Sequence, residues 1–279
     1  VKIAVATYID NQPELVREFW WLYRSWLLSG AWHTSALVAF VHPEADRRRL
    51  PADVNLTYVP LAPLANRDPA WADYRFVNSV WFPTAPEADF LRGFDFVLRT
   101  DGDCFLTPQF CGLRPRCATF GVGAFADRYD VARRLVDLAE RWQVPHVMNN
   151  VGSTVLAHGE MLRLYSQVQL DYCRRLRDEE FRDGPGEWPG WWRGVMSMYA
   201  GQLAANAVFG RNMHVGGLDV YCGQPARIGP GDYHIHAWHT YEDFSKFKWR
   251  RGEYAKVDPH TIDPGTVSGY CLWCAGARP

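Results

Sequence analysis

The apolar positions of this 279-residue chain fall into two patterns. Short, β-branched, nearly uncharged runs predict buried strands. They are Val1 to Ile9 (VKIAVATYI), Ser35 to His42 (SALVAFVH), Asn55 to Leu61, Phe94 to Arg99 (FDFVLR), Thr119 to Phe125, and STVLA within Asn149 to Ala157. Further strands are expected near His214 to Tyr221 and at Tyr233 to His236. Between the strands, apolar residues recur at helical spacing. Leu15, Phe19, Leu22, Trp26 and Leu27 line one such helix. Asn11 is expected to cap it, with Pro13 in the first turn, Glu14 completing a capping-box-like pair, and Gly30 stopping it. Helices are also predicted over Asp127 to Trp142, Glu160 to Phe181 and Met196 to Phe209, and within DYRFVNSVWF of the Pro-rich segment 62–86. Asp183 to Trp192 (DGPGEWPGWW) reads as a loop, and the end from Lys256 as irregular. Strands alternating with helices at this pitch predict an α/β fold: a mostly parallel central sheet flanked by helices, in a single domain.

Composition narrows the function. Apolar residues make up 48% and charged residues 22%, which is enough to bury a sizeable core. Thirty basic against 31 acidic residues give a net charge of −1, so a protein that coats nucleic acid is not expected. No apolar run has the length of a bilayer span, and the first residues read as a strand rather than a signal peptide. Seven cysteines, an odd number, predict a reducing, cytoplasmic setting. Cys271 and Cys274 form a lone CxxC without the second pair that a zinc site needs. The 13 Trp, 13 Tyr and 15 Phe suit the faces of sugars and bases, and equally a bulky core.

The sharpest local feature is Asp101-Gly102-Asp103 after a buried strand. Carboxylates there leave the C-terminal edge of a parallel sheet, where α/β proteins bind ligands. Two aspartates one residue apart can share a divalent cation that also holds a diphosphate, and Gly102 leaves room for the ligand. A solvated turn has the same local sequence. Later comes Tyr233-His234-Ile235-His236-Ala237-Trp238-His239, with three of the chain's nine histidines. On a strand His234 and His236 share a face, and one imidazole can complete an aspartate-based metal site. His236 is ranked first as ligand, then His239, then His234. Ser245-Lys246-Phe247-Lys248-Trp249-Arg250-Arg251 places cations beyond the histidines, where they could neutralise a diphosphate or form a solvated face.

Taken in order, DGD after FDFVLR, then NNVG, then Gln202 before Asn206, then a histidine followed by FSKFKW, the chain resembles GT-A glycosyltransferases. The resemblance is to the retaining type that includes glycogenin and the bacterial lipopolysaccharide galactosyltransferases, and it runs from about Val1 to Trp249. It implies a Rossmann-like GT-A domain over residues 1–279, with a nucleotide-binding half at 1–125, an acceptor- and metal-completing half at 126–255 and a tail at 256–279. It implies Mn²⁺ or Mg²⁺ held by Asp101, Asp103 and His236 or His239, on a nucleoside diphosphate sugar, UDP or GDP being favoured. It matches Lys246 to the family's late lysine, Asn150 to the asparagine of its Asn-Ala-Gly stretch, and Gln202 to the glutamine of its Asp-Gln pair. The residue before Gln202 here is Gly201, and the family's final glycine and proline are missing. Thr7 and Tyr8 fall where the resemblance places base and ribose; Arg75, Asn78, Ser79 and Gly102 fall where it places nucleotide and sugar contacts. The tryptophans of Glu187 to Trp192 could stack an acceptor sugar or pack inside.

These features predict a metal-dependent glycosyltransferase that moves a sugar to a small-molecule or glycan acceptor, with retention implied by the resemblance. Three rivals stay open. A metal-dependent phosphoesterase could also use Asp and His ligands, but it would need more of them at several strand ends, and the early strands supply few. A sugar nucleotidyltransferase would show a Gly-rich basic loop after the first strand, where this chain has Thr7-Tyr8-Ile9-Asp10-Asn11. A non-catalytic carbohydrate-binding protein would bind sugar without turning over a nucleotide donor.

Overall fold

The computed structural model describes residues 1–238 and 242–276, with only the backbone at Pro259. In chain order the elements are β1 (Ile3–Ile9), α1 (Pro13–Leu28), β2 (Ser35–Val41), β3 (Leu56–Pro60), α2 (Val77–Trp81), β4 (Phe96–Arg99), β5 (Cys104–Leu106), β6 (Ala118–Val122), α3 (Tyr129–Arg141), β7 (Val151–Ala157), α4 (Gly159–Arg175), α5 (Met196–Val208), β8 (Met213–Val215), β9 (Val220–Tyr221), β10 (His234–His236), α6 (Lys246–Arg250) and α7 (Val267–Gly276). The class is α/β, as expected. Two compact units are drawn from interleaved segments: one from 2–60, 100–114 and 217–279, the other from 1, 61–99 and 115–216. This division differs from a first half followed by a second half.

In the β1 unit, β1, β2 and β3 run parallel, with Val5 opposite Leu37 and Leu37 opposite Leu56. β1 is buried along nearly its whole length, which is why it reads as a continuous apolar run. A second sheet joins β5, β10 and β9: β10 is antiparallel to β5 and parallel to β9. Helix α1 starts with Pro13 at its first position, which suits a residue lacking an N–H. Its N-cap is Gln12, with no side-chain cap. Asn11, the expected cap, gives its backbone N–H to Asp10 Oδ1 at 2.7 Å, and its amide reaches Glu44. Gly30 does stop the helix, in a left-handed conformation (φ 77°) that favours glycine.

The β4 unit holds β4, β7, β6 and β8. Strand β6 runs parallel to β8, and β7 runs against both β4 and β6. Buried Arg99 at the end of β4 donates to Gln169 Oε1 (2.7 Å) and to the Ser153 carbonyl (2.8 Å), and its guanidinium lies over the Tyr165 ring. The segment DYRFVNSVWF forms only the five residues of α2, because Pro83 redirects the chain into a tight turn over Phe82–Thr84. Among the described residues, no helix is long and apolar enough to cross a membrane.

Helix α7 departs most from the sequence expectation, since an irregular tail was predicted there. Val267, Tyr270, Cys271, Cys274 and Ala275 are all buried, and Leu272 and Trp273 pack on the same core. A helix apolar on every side carries no 3.6-residue contrast to read, and Asp263-Pro264-Gly265 before it signals only a turn. Cys271 and Cys274 are packing residues in a core with Trp21, Phe105, Ile235 and Phe244. Trp21 stacks on Phe105 at 5.5 Å, and the Tyr270 hydroxyl donates to the Leu106 carbonyl at 2.8 Å. Tyr270→Ala should therefore lower unfolding free energy by about 3–5 kcal/mol, as for other large aromatic truncations. Tyr270→Phe should cost about 1 kcal/mol, for the hydrogen bond alone. Denaturant unfolding of the two variants checks the ratio; equal costs would show that α7 is not packed this way.

Candidate functional site

The chain leaves β4 through Thr100-Asp101-Gly102-Asp103 and enters β5. Antiparallel pairing sets His236 of β10 opposite Cys104, and the Asp103 carbonyl accepts from the Ala237 N–H at 3.0 Å. This register sets the His236 imidazole over the acidic turn. Its Nε2 lies 3.4 Å from Asp103 Oδ1 and 4.0 Å from Asp101 Oδ2. Its Nδ1 lies 3.2 Å from Asp219 Oδ1. Asp219 itself is left-handed (φ 55°), a conformation that aspartate tolerates better than most residues and that is often found at functional turns. The other oxygen of Asp103 takes the Lys246 ammonium at 2.7 Å. Lys246 opens α6, whose start is capped by Ser245 Oγ. One turn on, Arg250 donates from Nε and Nη2 to Glu18 Oε1 of α1, at 2.9 and 2.5 Å.

Asp103, Asp219, Lys246 and Glu18 are buried and His236 nearly so, while Asp101 stays partly exposed, so charge decides the chemistry. Burial alone would raise the Asp103 carboxyl, but Lys246 and then His236 outweigh it and hold it well below the usual carboxylate range. Burial would lower His236, yet Asp103 and then Asp219 carry it up to about 10. Asp103 and Asp219 thus flank His236 and favour its imidazolium form. Burial also works against Lys246, which Asp103 and Glu18 keep charged. Glu18 is pushed up to about 7 by burial and by Asp103, against the pull of Lys246 and Arg250. The Cys104 thiol is raised well above its ordinary value by burial and the nearby aspartates. It stays a neutral thiol although ligand atoms of Asp103, Cys104 and His236 lie within 4.8 Å of one another.

His234 behaves differently. Its Nδ1 accepts from the Asp219 N–H at 3.2 Å, so the ring proton sits on Nε2, which faces Thr100 Oγ1 at 2.8 Å. Burial drives its pKa down to about 4, and it is a neutral structural residue. His239 lies outside the described residues.

Thr7 and Tyr8 end β1 in the same unit; Thr7 is wholly buried with no partner for its hydroxyl, and Tyr8 is half-buried. At Gly102 a Cβ would meet the Phe19 backbone at 3.5 Å, an ordinary contact, so chain packing does not itself demand glycine there. The other expected residues lie in the β4 unit. Arg75 is exposed; buried Asn78 accepts from the Leu64 N–H at 2.9 Å; Ser79 donates to the Phe76 carbonyl at 2.9 Å. Asn150 is left-handed (φ 50°) and bridges Ala126 N and Asp127 Oδ1. Gln202 is wholly buried on α5; its amide faces Asn149 Oδ1 at 3.4 Å, and its Oε1 has no partner among the described residues. In the tryptophan loop Trp191 stacks on Tyr199 at 4.1 Å and on Phe181 at 5.5 Å, whereas Trp188 is exposed.

Sequence reasoning missed Asp219, Glu18 and Cys104, and it placed Arg250 in a cationic run without its partner. Glu18 left a signal: a carboxylate three residues after Leu15 and four before Leu22, on the apolar face of α1. Asp219 left none beyond the glycine pair before it.

Residues 54–269 match a family described as a domain of unknown function, DUF7164. No curated protein sequence matches the chain. Among solved structures it is similar to an active-site mutant of LgtC, with a TM-score of 0.55 at 7% identity over 91% of this chain and 96% of that one. It is also similar to WbbM, described as a bifunctional glycosyltransferase, with a TM-score of 0.51 at 11% identity over 99% of this chain. In that case it spans 50% of the longer protein. At such identities the likeness is one of fold, and the fold is the GT-A architecture that the motif order implied. By the match over most of its length, this chain belongs to the DUF7164 family.

Proposed function

We propose that the protein is a metal-dependent glycosyltransferase acting on a nucleoside diphosphate sugar. The observation that carries this reading is the placement of Asp103, with His236 on one oxygen and Lys246 on the other. Two carboxylates and an imidazole form a mixed oxygen–nitrogen donor set, which suits Mn²⁺ and Mg²⁺ better than a soft metal. The neutral Cys104 thiol does not compete for the cation. Asp101, Asp103 and His236 would hold the metal, and Asp219, 3.2 Å behind His236, orients the ring. When bound, the metal supplies Lewis-acid charge to the diphosphate. Lys246 meets the negative charge that grows on the leaving diphosphate. Thr7 and Tyr8 flank the base and ribose, and Gly102 admits the sugar closely.

In the β4 unit, Arg75, Asn78, Ser79, Asn150 and Gln202 are assigned to donor contacts by resemblance. Gln202, with a buried amide oxygen lacking a partner, fits a sugar-facing role best. Exposed Trp188, rather than Trp191, suits an acceptor sugar. Retention follows the same resemblance, and WbbM, a neighbour in fold, is itself described as a glycosyltransferase. The free cysteines suit a reducing, cytoplasmic setting.

A screen of UDP, GDP, CDP and TDP sugars with Mn²⁺, read as donor hydrolysis, should single out one donor. EDTA should abolish that turnover and Mn²⁺ restore it; full activity in EDTA would overturn the metal reading. Asp103→Asn should cut the rate by roughly a hundredfold or more while circular dichroism stays native. Normal turnover in that variant would remove the acidic turn from the site.

The histidines divide cleanly. His236→Ala should weaken Mn²⁺ binding in the presence of the nucleoside diphosphate by at least roughly tenfold. His234→Ala should instead lower stability by about 1–3 kcal/mol, because it strands Thr100 and the Asp219 N–H. Calorimetry and thermal unfolding on both variants check the split; equal metal affinities would exclude His236 as a ligand.

A further inference from the structure

Lys246 stands at a place that the metal itself needs. Its ammonium lies 2.7 Å from Asp103 Oδ2, and the side chain is only 10% exposed. Oδ1 of the same carboxylate faces His236. Both oxygens of Asp103 are therefore already turned toward positive groups. The lysine is also held from behind. Lys246 and Arg250 are four residues apart on α6 and share one face. Arg250 is fixed by two donors to Glu18, a carboxylate that is 1% exposed on α1. Among the described residues Glu18 Oε2 has no hydrogen-bond partner, so Arg250 is what ties Glu18 to α6.

We propose that Lys246 is a placeholder cation: it occupies Asp103 until a diphosphate draws it away, so that metal and nucleotide enter as a pair, and Glu18 is the positioning residue that keeps it at that post. The inference rests on the proposed metal site and extends it. A dication approaching the empty site meets an ammonium already on its carboxylate, in surroundings where charges are poorly screened. Once a diphosphate is present, the ammonium gains a second, more highly charged acceptor, and Asp103 is released to the metal. Each ligand then strengthens the other by the same factor, as linkage requires.

This arrangement has a counter-intuitive signature. Removing Lys246 should impair turnover yet improve binding of the metal alone. Free Mn²⁺ is measured by electron paramagnetic resonance, without nucleotide and then with the nucleoside diphosphate chosen by the donor screen. Lys246→Met should bind Mn²⁺ alone at least about tenfold more tightly than the unaltered protein, the size expected for losing a charged hydrogen bond as competitor. Its gain from added nucleotide should shrink by a similar factor. Lys246→Arg, which keeps the charge on Asp103, should bind Mn²⁺ alone no better than the unaltered protein. Glu18→Gln should shift binding of Mn²⁺ alone in the same direction as Lys246→Met, by less. Thermal unfolding of each variant confirms that the comparison is made on folded protein. If the unaltered protein binds Mn²⁺ with nucleotide but Lys246→Met gains nothing for Mn²⁺ alone, the placeholder is wrong and the metal site stands. If the unaltered protein binds no Mn²⁺ even with nucleotide, the metal site itself fails. A Glu18→Gln variant matching the unaltered protein would leave Lys246 in place and remove Glu18 from its support.

Discussion

A carboxylate taken out of water must be compensated, and at Asp103 the compensation organises much of its unit. The residue is 7% exposed, so its charge survives only because cations close on both oxygens. One cation comes from β10, and its ring is steadied by Asp219, whose left-handed backbone carries the carboxylate to the far nitrogen. The other opens α6, and α6 is tied to α1 through the Arg250–Glu18 pair. A short strand, a strained turn and a five-residue helix thus share one electrostatic task. None has the length to be stable by itself.

The two histidines of β10 show how finely the surroundings set chemistry. They are two residues apart on one strand and face the same side, yet their proton affinities move in opposite directions. His234 accepts a backbone N–H and meets a hydroxyl, so burial decides and the ring is neutral. His236 faces three carboxylates, and the charge on Asp103 and Asp219 overcomes the burial that acts on it too. Spacing alone could put both in the metal site; only their partners separate them.

Legibility followed the same division between local and distant information. Strands β1, β2, β4 and β7 were readable because burial makes them continuous apolar runs. Helix α1 was readable because one face is dry. Helix α7 was not, since its uniform apolarity erases the helical period, and β5 is too short to show one. Asp101, Asp103, His236 and Lys246 stood out as local motifs. Their meeting did not: Lys246 and Asp103 are 143 residues apart in sequence, and no local pattern encodes that pair. Glu18 left a charge on an apolar face, but its partner Arg250 lay inside a basic run that pointed to a diphosphate or to solvent, not to a buried carboxylate. The residues proposed in the β4 unit were reachable only by resemblance.

The core beneath this site joins segments far apart in sequence. Trp21 packs in one cluster with Tyr270, and Arg24 donates to the Ala275 carbonyl, 251 residues away. On the ribosome this matters. The apolar face of α1 is made more than two hundred residues before the helix that covers it. Asp103 emerges on the order of ten seconds before Lys246, at ordinary rates of synthesis. For that interval the growing chain carries an acidic turn without its lysine and a tryptophan face without its lid. The unit therefore closes only after segments made far apart in time have met, and no stretch of it can reach its final packing on its own.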